Sequence, residues 1–219
     1  MKYHRSVALL ASLAALSVIT PASQADPPAG AGAGKVAPFT SGGGVSAEEV
    51  LIAGFIPSYT GESVPACGRL GGGKVLAAQP GSTCTVKPGT KVLVPLPGAS
   101  CSDAEPAPFF AETAAEQREC ALANVRQDVV RVTVSVDGGP PQNVLSDRFL
   151  TITDQFGVVS QPGNPFGAEP GPTTVVVVGY LGVLRGLPPG RHTFVVSAFA
   201  FGGSFTGIWT VNVVPGADR

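Results

Sequence analysis

Apolar and polar residues alternate most cleanly from Val130 to Val136, where Val130, Val132, Val134 and Val136 are separated by Arg131, Thr133 and Ser135. A period of two puts one set on each side of an extended chain, so this stretch predicts a half-buried strand. The same period returns near the C-terminus. Phe205, Gly207, Trp209, Val211 and Val213 fall on one face there, and Thr206, Ile208, Thr210 and Asn212 fall on the other. Between these two stretches, Thr173–Tyr180 is almost unbroken in β-branched residues, as in a strand covered on both faces. Shorter strands are expected at 74–78, 91–94 and 145–153, with Gly or Pro bounding several of them.

Helical signals are few. Thr113 with Glu116 forms a capping-box pattern ahead of strong helix formers at Ala114–Ala123. On that helix Ala115, Leu122 and Cys120 are expected to face a sheet, with Glu112, Glu116 and Glu119 toward solvent. Ser46-Ala47-Glu48-Glu49 also resembles a helix start, and Val50-Leu51-Ile52 after it reads either as one or two turns of helix or as a strand. The pattern predicts a mainly β protein: a single β-sandwich, Ig-like or jelly-roll-like, with one short inserted helix.

The first residues stand apart from that pattern. Lys2 and Arg5 precede an apolar run from Val7 to Ile19, and Ser23-Gln24-Ala25 offers small residues around a cut after Ala25. This is the layout of a cleavable secretory signal, and the run is too short to span a bilayer comfortably. The expected organisation is a signal peptide at 1–25, a flexible Gly- and Pro-rich linker at 26–45, and a β-sandwich domain at 46–219. The mature protein would be secreted, periplasmic or held at the cell envelope, with no transmembrane segment. Lys2 and Arg5 leave with the signal, so the 14 basic residues become 12 against 15 acidic ones. That balance argues against nucleic acid as a partner.

Four cysteines, Cys67, Cys84, Cys101 and Cys120, suit two disulfides in an oxidising compartment. Three pairings are open, and short loops favour Cys67–Cys84 with Cys101–Cys120. No Cys-x₂-Cys pair supports a zinc site. Gly68-x₄-Gly73-Lys74 fits most of a phosphate-binding loop, but Val75 stands where the motif needs Ser or Thr for magnesium, so a glycine turn is the expected reading. His192 would be the sole histidine after signal cleavage, and its place beside Pro188-Pro189-Gly190 suggests a side chain that bonds the turn. Ser204 lacks the second glycine of a nucleophile elbow and joins two strands instead of strand to helix. Asp103 with Glu105, Asp147 and Asp154 are the candidate carboxylates, and nothing in the sequence singles out a pair.

From Cys67 onward the order of short motifs resembles a family of exported bacterial proteins without an assigned activity. The matching elements are Cys84-Thr85-Val86, Pro88-Gly89-Thr90-Lys91, Val94-Pro95, Cys101, Arg118-Glu119-Cys120-Ala121, Val136-Asp137-Gly138, Gly179-Tyr180 and the turn Leu187-Pro188-Pro189-Gly190-Arg191-His192-Thr193. Val178 stands where the family carries an acidic residue, and the family's aromatic-rich N-terminal segment is not evident. The resemblance implies export, disulfides and a β-rich fold, and it supplies no catalytic residues.

The expected function is therefore a secreted or envelope-associated binding module that uses no cofactor and no metal. Its expected partner is an extracellular glycan, lipid or protein. Tyr59, Phe109, Phe110, Phe166 and Tyr180 fall in or near loops and are the candidate ligand-binding residues, against the plainer alternative that they pack beneath those loops. Two other readings are a hydrolase or lyase working through carboxylates, and a purely structural surface protein.

Overall fold

In the computed structural model, which describes residues 34–216, strands dominate and two α-helices interrupt them. Strands β1 (Val36–Pro38), β2 (Ser41–Gly42) and β3 (Val45–Ser46) lead into α1 (Ala47–Thr60). Then β4 (Cys67–Leu70), β5 (Val75–Ala78), β6 (Thr83–Val86) and β7 (Lys91–Ser102) precede α2 (Ala114–Asp128). After α2 come β8 (Val129–Val136), β9 (Gln142–Asn143), β10 (Leu150–Ile152) and β11 (Phe156–Ser160). The long strands β12 (Gly171–Leu184), β13 (Gly190–Ala200) and β14 (Gly203–Val213) complete the fold.

Two open sheets form a sandwich. One runs β1-β12-β7-β5-β4, with β10 and β11 also paired to β12, and the other runs β6-β14-β13-β8-β9. Most pairs are antiparallel, but β5 lies parallel to β7 and β6 parallel to β14. The inward faces meet in one core, where Val132, Val134, Phe194, Trp209 and Val211 of the second sheet belong to the same cluster as Val92, Val94, Val178 and Tyr180 of the first. On the far side of the first sheet, α1 sets Val50, Leu51 and Tyr59 against Leu93, Val175, Val177 and Val183. Strand β12 is thus buried on both faces, which is why its sequence shows no alternation. At Gly179 an added Cβ would lie 2.9 Å from Leu51 Cδ1, so the bare backbone lets α1 sit this close.

Both expected disulfides are present. Cys67–Cys84 joins β4 of one sheet to β6 of the other, and Cys101–Cys120 anchors α2 to β7.

Several expectations are corrected. Among the described residues there are two α-helices, not one: the ambiguous stretch after Ser46 is α1, started by a reciprocal Ser46–Glu49 capping box and ended at Gly61, whose φ is +70°. The expected linker at 26–45 is part of the fold from residue 34 onward, with Val36 and Phe39 buried and β1 paired to the end of β12. The proposed signal at 1–25 and the linker's first residues lie outside the described residues. On α2 it is Gln117, Ala121 and Val125 that are buried, while Ala115 is exposed. The helical phase is set by Gln117, whose amide donates to Ala111 O and to both oxygens of Thr174. Val130 turns outward, 61% exposed, because Arg131 pairs with Phe199 and Val129 with Ala200, leaving Val130 as the extra residue of a bulge.

Candidate functional site

One end of the first sheet carries an open cleft of about 470 Å³, between the segment after β7 and the Pro- and Gly-rich loop before β12. Its wall includes Phe110, Pro106, Pro170 and Pro172, and its polar groups include Asp103, Glu105 and Glu169. Phe110 is 48% exposed, a large apolar side chain held at the surface.

Neither loop has regular secondary structure, yet both are fixed by hydrogen bonds. After β7 the chain folds back so that Ser102 N–H donates to Phe109 O and Ala111 N–H donates to Ser102 O. The Ala107–Pro108 peptide between them is cis. In the facing loop Asn164 is the buried hub. Its amide donates to Ser160 Oγ, Gln161 O and Ala168 O, and its Oδ1 accepts from Ala168 N–H. Glu169 N–H donates to Ala104 O, tying one wall to the other. A cleft built this way is shaped before any ligand arrives.

The carboxylates differ in how they are held. Asp103 accepts from Thr173 Oγ1 at 2.8 Å, Thr174 N–H at 2.9 Å and Thr174 Oγ1 at 2.8 Å. Burial pushes its carboxyl up, but these donors outweigh burial and hold it below the usual carboxylate range. Glu105 is almost fully buried. It accepts from Ser100 Oγ at 3.1 Å, and its own N–H donates to Ser102 Oγ at 2.9 Å. Behind it the Tyr59 hydroxyl lies among Ser100, Ser102 and Glu105 without a hydrogen bond of good geometry. Burial, with the negative charge of Glu105 adding to it, raises the Tyr59 phenol well above its ordinary value. No three His, Cys, Asp or Glu side chains among the described residues stand close enough to hold a metal ion.

Of the five aromatic candidates, only Phe110 lines the cleft. Tyr59 is fully buried on the face of α1 turned to the first sheet and Tyr180 is buried in the central core, because both belong to elements whose faces are covered. Phe109 is half-buried against that core, and Phe166 is half-buried with its ring 4.8 Å from Tyr59 and 6.0 Å from Phe55. These four are packing residues. Among the acidic candidates Asp103 and Glu105 do meet in the cleft, whereas Asp147 and Asp154 are not part of it. Asp147 lies 3.9 Å from Arg126 on the surface. Glu169 and the three prolines were missed, although the density of Pro and Gly at 161–172 marks the loop that carries two of those prolines.

Ser204 and His192 sit at opposite ends of the β13–β14 hairpin, which removes them as a nucleophile and base pair. The glycines after Leu70 form a tight turn from β4 into β5, with no helix following, so no phosphate-binding loop exists there.

The fold and cleft define a disulfide-bonded β-sandwich with a preformed surface pocket. No family model matches the chain, and no curated protein does. Among solved structures the chain is similar to the solution structure of Amebosin at 15% identity and a TM-score of 0.24, over 62% of this chain and 90% of that one. A likeness that slight bears on neither fold nor function.

Proposed function

We propose that this chain is an exported binding module, secreted or envelope-associated, whose ligand occupies the cleft between residues 103–110 and 167–172. The observation that carries this reading is a cleft with an exposed phenylalanine and prolines on walls already fixed by hydrogen bonds. Asp103 is saturated by its own threonines, which suits a fixed negative charge better than a group that must gain and lose a proton. Export is supported by the N-terminal leader pattern and the two disulfides. No helix among the described residues is long and apolar enough to cross a membrane.

The lining fits a ligand with a positive charge on an apolar stem, as a Lys or Arg side chain of an extracellular partner protein provides. Phe110 would lie against the stem while Asp103 and Glu169 face the charge. Calorimetry with Lys- and Arg-containing peptides should show binding, with neutral glycans and lipids inert. Phe110→Ala and Glu169→Gln should each weaken that binding about tenfold while the melting midpoint stays put. Binding that ignores both substitutions, or turnover of an ester, peptide or glycan lost with Asp103→Asn, would replace this reading.

A further inference from the structure

The charges of the sandwich are sorted by end. Val36 of β1, Leu184 of β12 and Val92 of β7 stand opposite one another in register. One residue further out, Lys35, Arg185 and Lys91 therefore fall side by side. Lys74 joins the row, its carbonyl accepting from Lys91 N–H at 3.0 Å. The second sheet ends at the same place, because the connections from β6 to β7 and from β12 to β13 cross between the sheets there. They bring Lys87 and Arg191 beside the row, and Arg69 of β4 joins them by donating to Thr85 O. All but Lys91 are exposed. Among the described residues the acids that come closest along the chain are Asp137, which bonds His192 and Thr193, and Glu49, which accepts from Ser46 N–H. The cleft lies at the other end, where β7 stops at Ser102 and β12 starts at Gly171. At roughly 3.3 Å per residue along β7, that is about 35 Å away. The charged groups of the cleft are the acids Asp103, Glu105 and Glu169.

We propose that the basic end docks on a membrane surface of anionic phospholipid, with the cleft turned away from it. The occupant is argued from charge. Like charges directly opposite on neighbouring strands repel, so Lys35, Arg185 and Lys91 cost stability that a layer of phosphates removes. Each Lys or Arg held near an anionic bilayer strengthens binding about fivefold, and several act together here. The chain as a whole carries one more acid than base, so attraction depends on this sorting of charge. Repulsion of the acidic end then sets the orientation. Nucleic acid presents the same phosphates, but the export proposed above separates the chain from it. Turning the cleft outward rests on the cleft's binding role proposed above; the docking itself does not.

Cosedimentation of the protein purified after export tests this, with vesicles of equal phosphatidylglycerol and phosphatidylcholine against vesicles of phosphatidylcholine alone. Binding to the first only is expected, and raising salt from about 50 to about 300 mM should weaken it at least tenfold. Lys35→Gln combined with Lys74→Gln should weaken it about tenfold or more. Lys87→Gln with Arg191→Gln should act in the same direction and serves if the first pair does not fold. Arg118→Gln, exposed on α2 toward the cleft end, should change nothing. Lys-containing peptides should bind all these variants as they bind the parent, so docking and the cleft are read separately. A protein that ignores the anionic vesicles overturns the proposal even where the peptides bind. So does vesicle binding that neither pair weakens or that Arg118→Gln weakens as much, and so does a preference for duplex DNA over the vesicles.

Discussion

Replacing Trp209 by Ala should cost about 3–5 kcal/mol, the range seen for the largest core truncations. The indole is fully buried, stacks on Phe194 with centroids 5.2 Å apart, meets Phe205 edge-on at 6.4 Å, and donates from Nε1 to Ala78 O at 2.9 Å. That last bond crosses from the second sheet to the first, since Ala78 ends β5. Truncation therefore opens a cavity and also leaves a carbonyl without its donor. At about 2–4 °C per kcal/mol for a chain of this size, the melting midpoint should fall by roughly 6–20 °C. Gly207 is the partner in this arrangement. A Cβ there would come within 2.3 Å of Trp209 Cη2 and 2.8 Å of Phe205 Cζ, so Gly207→Ala must displace the ring or the strand. Its cost should be about 1–3 kcal/mol, with a red shift in the emission of this single tryptophan. A Trp209→Ala variant that melts with the parent would mean that the two sheets are held together elsewhere.

His192→Ala should destabilise the protein by about 3 kcal/mol and abolish no chemistry. The ring is buried between two acceptors, with Nδ1 2.8 Å from Asp137 Oδ2 and Nε2 2.8 Å from Pro188 O. Asp137 is itself fixed twice more, accepting from Thr193 N–H and donating its own N–H to Thr193 O. The group closes the turn before β13 onto the end of β8, and it holds Asp137 at a φ of +50°. Removing the ring takes the partner from Asp137 Oδ2 and from Pro188 O at a largely covered site, while Asp137 Oδ1 keeps Thr193 N–H. A catalytic histidine would give the opposite outcome, loss of a turnover with an unchanged melting midpoint. A midpoint that does not move would end the structural reading of this ring.

The strands that carry the core were legible because each has one covered face. In β14 the period of two survives into the structure, with Trp209, Val211 and Val213 inward and Ile208 outward. The doubly covered strand was legible for the complementary reason, a run of β-branched residues with no polar face. Places where tertiary contacts override the local pattern were not legible. A bulge at Val130 reverses one valine, and the buried Gln117 sets the phase of α2 so that Ala115, expected to face a sheet, is exposed. Helix α1 was ambiguous because its apolar residues run consecutively and Pro57 lies inside it. As for the site, Asp103, Glu105 and Phe110 were in view, but choosing among exposed and buried aromatics requires knowing which loops face each other. Sequence spacing does not contain that.

Strand β12 has a consequence for how the chain comes into being. Three short strands, the neighbouring β11 and β10 and the distant β1, line up end to end along one of its edges, and β7 takes the other. In the second sheet β13 and β14 likewise join β8 and β6, which are made much earlier. When a ribosome has reached residue 170, β4, β5 and β7 and the pair β8–β9 have their partners, while β1, β6, β10 and β11 still wait for theirs and both sheets lack their long central strands. The two sheets therefore cannot be completed until the last quarter of the chain emerges, a delay that suits the export proposed above.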